Sequence, residues 1–116
     1  MRKSLTKKEI IRFRNDIKML FSEAKKISSE GMTLKYRENH LNYSRILICP
    51  VKKFGHSVKR NKIRRQIKEI FRLNKENIKS GFDFVFIVYP GRYEYEEREK
   101  QFREILKKKN FFLAEN

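Results

Sequence analysis

Lys52-Lys53-Phe54-Gly55-His56-Ser57-Val58-Lys59-Arg60-Asn61-Lys62-Ile63-Arg64-Arg65-Gln66-Ile67-Lys68-Glu69-Ile70-Phe71-Arg72 holds nine basic residues and one acidic residue in twenty-one positions. It is a patterned helix and not a formless basic tail. Ile63, Ile67, Ile70 and Phe71 recur at i, i+4, i+7 and i+8, the spacing of an apolar helical stripe. A helix turns about 100° per residue, so Asn61, Arg64, Arg65, Lys68 and Arg72 share an arc of about 100° beside that stripe. One face can anchor in a core while the other presents positive charge to a polyanion.

The segments on either side of this helix set the fold class. Tyr43 to Val51 is an apolar, β-rich run, and Pro50 places its end at an edge or bulge because proline donates no ladder hydrogen bond. Phe54 to Ser57 makes the turn into a helix expected over about residues 57 to 76. Ser80-Gly81 closes that region. Phe82 to Tyr89 is almost wholly apolar, as a strand buried on both faces would be. Upstream, Met32, Leu34 and Tyr36 alternate with Thr33, Lys35 and Arg37, the period of a half-buried strand. The polar run Glu38 to Asn42 is expected to be a hairpin loop. Thr6-Lys7-Lys8-Glu9 reads as a capping box. It opens one helix or two short pieces over residues 7 to 25, with Ile10, Phe13, Ile17, Leu20, Phe21 and Ala24 at helical spacing. Ser28, Ser29 and Gly31 punctuate its exit. From Glu94 a charged helix turns Tyr95, Phe102, Ile105 and Leu106 inward. The resulting order is helix-strand-strand-helix-strand-helix, an α+β sandwich with a mostly antiparallel sheet.

The chain has 116 residues and a net charge of +16, which fits one domain over residues 1–116 and a phosphate-bearing partner. Cys49 is the only cysteine, so no internal disulfide can form, and it reads as a small buried strand residue. Met1 to Lys8 lacks the apolar run of a signal peptide, and the longest apolar run, Phe84 to Tyr89, is too short to cross a bilayer. The expected setting is a reducing one, the cytoplasm, without membrane attachment.

An active site is not legible. His40 and His56 have no Ser, Cys or carboxylate at suggestive spacing. Glu94, Glu96, Glu97, Glu99 and Glu104 read as a solvated helical face paired with Arg98, Lys100 and Arg103. No paired carboxylates resemble a two-metal nuclease, and there is no glycine-rich phosphate loop. The pattern fits a binding module. The basic helix lacks a helix-turn-helix partner, zipper or zinc frame for DNA. The fifteen aromatics include Phe21 and Tyr36 on segments that can form a cleft. Aromatics beside cations suit single-stranded RNA, whose bases stack on them. Composition and spacing therefore reach an RNA-binding α+β domain.

The ordered run Lys52-Lys53-Phe54-Gly55, a short spacer, and Lys59-Arg60-Asn61-Lys62-Ile63-Arg64-Arg65 through Phe71-Arg72 resembles the signature of the bacterial ribonuclease P protein subunit. That family carries a Lys-Lys/Arg-x-Gly segment and an Arg-Asn-Arg helix ending in Phe. Length, charge and order of elements match over nearly the whole chain. The resemblance implies a holoenzyme that removes the 5′ leader of precursor tRNA. In it a large RNA subunit supplies the active site and Mg²⁺, and the protein is a binding subunit without catalytic residues or a metal site of its own. It also implies a left-handed βαβ crossover around the basic helix, against the usual hand.

Carried over by residue, the resemblance assigns Lys52, Lys53, Lys59, Arg60, Asn61, Lys62, Arg64, Arg65, Lys68 and Arg72 to the catalytic RNA. It assigns Ile17, Phe21 and Tyr36 to a separate cleft for the single-stranded leader. The partners are then the catalytic RNA and precursor tRNA, with the free protein a monomer. Some residues depart from the family pattern. Lys62 replaces an Arg, keeping charge but losing the bidentate fork. Ile17 stands where the family often has Phe, Leu47 and Pro50 differ in the second strand, and Tyr89 replaces a commonly basic residue before Pro90. A ribosomal or ribosome-assembly protein, and a small self-sufficient nuclease, are the competing readings.

Overall fold

The computed structural model describes residues 5–113. Two pieces form the N-terminal region: a 3-10 turn at Lys7–Glu9 and helix α1, Arg14–Glu23. The Thr6 backbone amide donates to Glu9 Oε1 at 3.0 Å, the return bond of a capping box, and the Thr6 hydroxyl donates to the same oxygen at 3.0 Å. Strands β1 (Lys25–Ser29), β2 (Met32–Glu38) and β3 (Arg45–Pro50) follow. Helix α2 (Ser57–Asn74) leads to β4 (Phe82–Val88), and α3 (Tyr95–Lys107) closes the fold.

The sheet order is β1-β2-β4-β3. β1 and β4 both lie antiparallel to β2, whereas β3 runs parallel to β4, so β3, α2 and β4 form a βαβ unit. Two expectations are corrected by this order. Residues 25–29 form a strand and not a helix exit. The polar run after β2 is also not a hairpin, because β4 lies between β2 and β3. The true hairpin joins β1 to β2 at Gly31, whose φ of +73° suits glycine. A Cβ there would also stand 2.7 Å from the Gln101 amide. Pro50 falls on the edge strand β3, consistent with its missing N–H.

Strand alternation sorts the side chains into two cores. Met32, Leu34, Tyr36, Ile46, Ile48, Phe84, Phe86 and Val88 pack with Ile63, Ile67, Ile70 and Phe71 of α2 and with Phe102, Ile105 and Leu106 of α3. On the opposite face, Val85 meets Leu20 and Ile11, with Ile17, Leu47, Cys49 and Ile87 partly buried around them. The molecule is thus α2 and α3 on one side of a sheet and α1 on the other. β4 is central, and four consecutive residues from Asp83 to Phe86 are buried.

One α3 assignment also changes. Arg98 does not belong to the solvated charged face; it is 2% exposed. Its guanidinium donates to the backbone oxygens of Gly31 at 3.2 Å and Tyr89 at 2.8 Å, and to Gln101 Oε1 at 3.0 Å. It therefore ties the hairpin, the end of β4 and α3 together.

Candidate RNA interface

α2 forms because Ser57 to Asn74 contains neither Gly nor Pro and repeats its isoleucines at helical spacing. Gly55, with φ +91° and ψ −132°, makes the reversal that no other residue adopts readily. It brings the 3-10 turn Lys52–Phe54 against the helix start. Ile63, Ile67, Ile70 and Phe71 are buried as the stripe predicts, and Asn61 and Arg65 are exposed.

The helix presents its cations in three directions. Toward β3, Arg60 and Arg64 lie close enough for their charges to act on Cys49. Burial pushes that thiol up, and Arg64 and Arg60 pull against it. Toward the N-terminal segment, Arg65, Lys68 and Arg72 border a groove of about 500 Å³ floored by Leu5 and Ile10. Arg72 is engaged within the helix, forked on Glu69, and this bond holds the Glu69 carboxyl below its ordinary range. Toward α3, Lys59 and Lys62 share a pocket with Lys53. On the outermost line, Asn61 Oδ1 accepts from Arg64 at 2.9 Å, which fixes the amide's orientation.

A second surface lies on the α1 side of the sheet. Phe13, the N-cap residue of α1, is followed at intervals of four by Ile17 and Phe21 on the helix. Phe13 is 68% and Phe21 43% exposed, although both carry the spacing of an inner face. The Lys35 ammonium sits 4.4 Å from the centre of the Phe21 ring. Beyond α1, the sheet register sets Ser28, Thr33, Ile87 and Cys49 in one row. The Thr33 hydroxyl is 3.1 Å from Ser28 Oγ and 3.2 Å from Tyr89 Oη. The aromatic ridge and the hydroxyl row therefore share one shelf on the α1 side of the sheet.

Tyr36 is not part of that shelf. It lies on the opposite face with Leu34 and Met32, is 9% exposed, and meets Phe111 edge to face at 5.0 Å. Pleating allows no other outcome: Lys35 and Tyr36 are consecutive and must point to opposite sides. The three residues assigned to a leader cleft thus divide into Ile17 and Phe21 on one face and Tyr36 on the other. The ten residues assigned to the catalytic RNA all fall on α2 or the turn before it.

The interior carboxylate that sequence reading missed is Asp83. Arg45 grips it with two bonds of 2.7 and 2.8 Å, Asn39 donates at 3.0 Å, and Arg37 lies 3.6 Å away. Burial alone would raise this carboxyl, but the bonds from Arg45 and Asn39 and the two positive charges carry it below the ordinary range. Arg45 also reaches Asp16, and Arg37 reaches Glu23, so the network clamps α1 to the sheet. Among the described residues no group of three or more His, Cys, Asp or Glu could hold a metal ion. No helix of the described chain is long and apolar enough to cross a membrane.

Comparison with known proteins gives a consistent result. The family described as Ribonuclease P matches residues 5–110. The ribonuclease P protein component of Thermotoga maritima is 42% identical over 87 residues, covering 75% of this chain and 74% of that protein. The corresponding component of Borreliella burgdorferi is 44% identical over 80 residues, covering 66% of this chain and 67% of that one. The solved structure of the T. maritima protein superposes with a TM-score of 0.79 at 34% identity, covering 86% of this chain and 96% of that one. The Staphylococcus aureus protein shares the fold, with a TM-score of 0.80 at 22% identity, covering 97% of this chain and 98% of that one. The chain belongs to the ribonuclease P protein family.

Proposed function

We propose that this chain binds the catalytic RNA of ribonuclease P through α2 and the Lys52–Phe54 turn, and holds the 5′ leader of precursor tRNA on the α1 side of the sheet. The observation that carries the reading is the separation of two unlike surfaces. One is a convex helix with Asn61 and Arg65 outermost and few aromatics. The other is a sheet face with the exposed Phe13 and Phe21 beside it and a lysine over one ring. Arginine forks match phosphates of a folded RNA. Aromatic ridges accept the splayed bases of a single strand. In this reading the leader contacts come from Ile17, Phe21 and the hydroxyl row, while Tyr36 supports the sheet from below.

The chemistry of leader removal is assigned to the RNA subunit, with Mg²⁺ held by RNA. The protein contributes positive field and substrate position. The free chain is a monomer in the cytoplasm. Adding it to its cognate catalytic RNA at low Mg²⁺ should restore cleavage of precursor tRNA. Absence of stimulation, with the protein folded, overturns the reading. Cleavage by the RNA-free protein would favour a self-sufficient nuclease.

A further inference from the structure

The side of α2 that faces α3 carries a feature that phosphate binding alone does not account for. Between it and the segment after β4 lies a pocket of about 410 Å³. Small-ligand sites run roughly 300–1,000 Å³, so this one has the size for a nucleotide unit. Its floor is apolar, from Phe54 and Ile63, and its rim carries Lys53, Lys59 and Lys62. Gln66 contributes an uncharged amide with two donors and an acceptor, and that amide bonds to nothing else among the described residues.

The far wall is Arg98. Its guanidinium lies 4.6 Å from the centre of the Tyr93 ring and 5.8 Å from that of Phe54. All its carbonyl and amide partners are neutral, and its Nε has no partner. No acidic side chain lines the pocket. Four cations thus surround the hollow without a counter-charge in its lining, one of them buried at a cost that an anion nearby would offset.

We propose that this pocket receives one unstacked nucleotide of RNA, with its phosphate on the lysine rim and its base on the Phe54–Ile63 floor, where Gln66 reads the base edge. Lys62 follows Asn61 directly, so the pocket mouth adjoins the outer arc of α2. A strand held on that arc presents its neighbouring nucleotides to the pocket at high effective concentration. The inference rests on the RNA-binding reading above and adds to it a base-selective subsite.

Two measurements test it. The unmodified chain is titrated with millimolar adenosine, cytidine, guanosine and uridine 5′-monophosphates and with inorganic phosphate, followed by amide NMR. The nucleotides should shift the Gln66 side-chain amide, Gly91 and Tyr93 in a base-dependent way, whereas inorganic phosphate moves only neighbours of the lysines. An identical pattern for all five, or no shift at Gln66, overturns the proposal. In parallel, Gln66→Leu, with its fold checked by thermal melting, is assayed for catalytic-RNA affinity across salt concentrations. Affinity should fall roughly three- to tenfold, the loss of one or two neutral hydrogen bonds, with the salt slope unchanged. If the unmodified chain binds no RNA, the functional reading fails. If it binds and Gln66→Leu binds equally well, the pocket assignment alone fails, even where mononucleotides shift Gln66.

Discussion

At the residue scale, the deciding facts are about burial. Asp83 has no exposed side-chain surface and neutralises Arg45 while drawing Arg37 close. Removing it leaves two guanidinium groups facing each other across β4. Asp83→Ala should therefore cost about 3–5 kcal/mol in urea unfolding, the range for breaking a buried pair. The pH dependence has a definite sign. The folded carboxyl titrates below its unfolded value of about 3.9, so its contribution is complete above that pH and is lost as pH falls through the folded value. The unfolding midpoint of the native chain should drop more steeply below about pH 4 than that of Asp83→Ala. Tyr36 and Phe21 make a second pair of expectations. Tyr36→Ala should destabilise by about 3–5 kcal/mol, as large aromatic truncations in cores do. Tyr36→Phe should leave leader affinity intact. Phe21→Ala should weaken leader-bearing substrate by about 1–3 kcal/mol of lost stacking. Equal substrate affinity for Phe21→Ala and the native chain would remove Phe21 from the leader surface. Sequence alone already held part of this answer, since alternation in β2 grouped Tyr36 with Met32 and Leu34. Family resemblance drew it to the cleft, and the pleat decides against that placement.

At the scale of elements, α2 was fully legible because one stripe of four apolar residues and one arc of cations share a single period. β1 was not. Lys25-Lys26-Ile27-Ser28-Ser29 has one apolar side chain, so its two-residue period leaves no trace. Edge strands are often charged for this reason, which discourages pairing with other chains. The misassigned hairpin after β2 has a different origin. A polar loop reads the same whether the next strand pairs beside it or beyond a neighbour, and only the long-range β3–β4 pairing settles which. α1 hid its exposed aromatics similarly, since Phe13 and Phe21 have the spacing of a buried face yet are 68% and 43% exposed. Arg98 escaped notice because a charged residue among glutamates looks solvated until its three bonds are seen. The element-level prediction concerns α2. Arg60→Ala combined with Arg64→Ala should lower the slope of log affinity against log salt for the catalytic RNA by about two, one unit for each phosphate released. An unchanged slope would mean that these arginines brace β3 near Cys49 and touch no phosphate.

At the scale of the whole molecule, a net charge of +16 on 116 residues acts on folding and on binding with opposite signs. In the free chain the cations of α2, the N-terminal segment and the Lys107–Lys109 run repel one another, and only six ion pairs join described residues. Added salt screens this repulsion and should raise the melting temperature of the free protein. A gain of about 1 kcal/mol would appear as roughly 4 °C. The same salt competes with the protein for phosphate. If the α2 surface neutralises roughly six phosphates, affinity for the catalytic RNA should fall about a thousandfold between ~50 and ~200 mM monovalent salt. Leader binding should respond less, because the shelf relies on stacking and hydroxyls beside few cations. Thermal melts, RNA-subunit titrations and leader-oligonucleotide titrations over one salt series read all three quantities. Parallel losses of affinity at both surfaces would mean that the leader, too, is held chiefly by charge, and would return the aromatic ridge of α1 to a packing role.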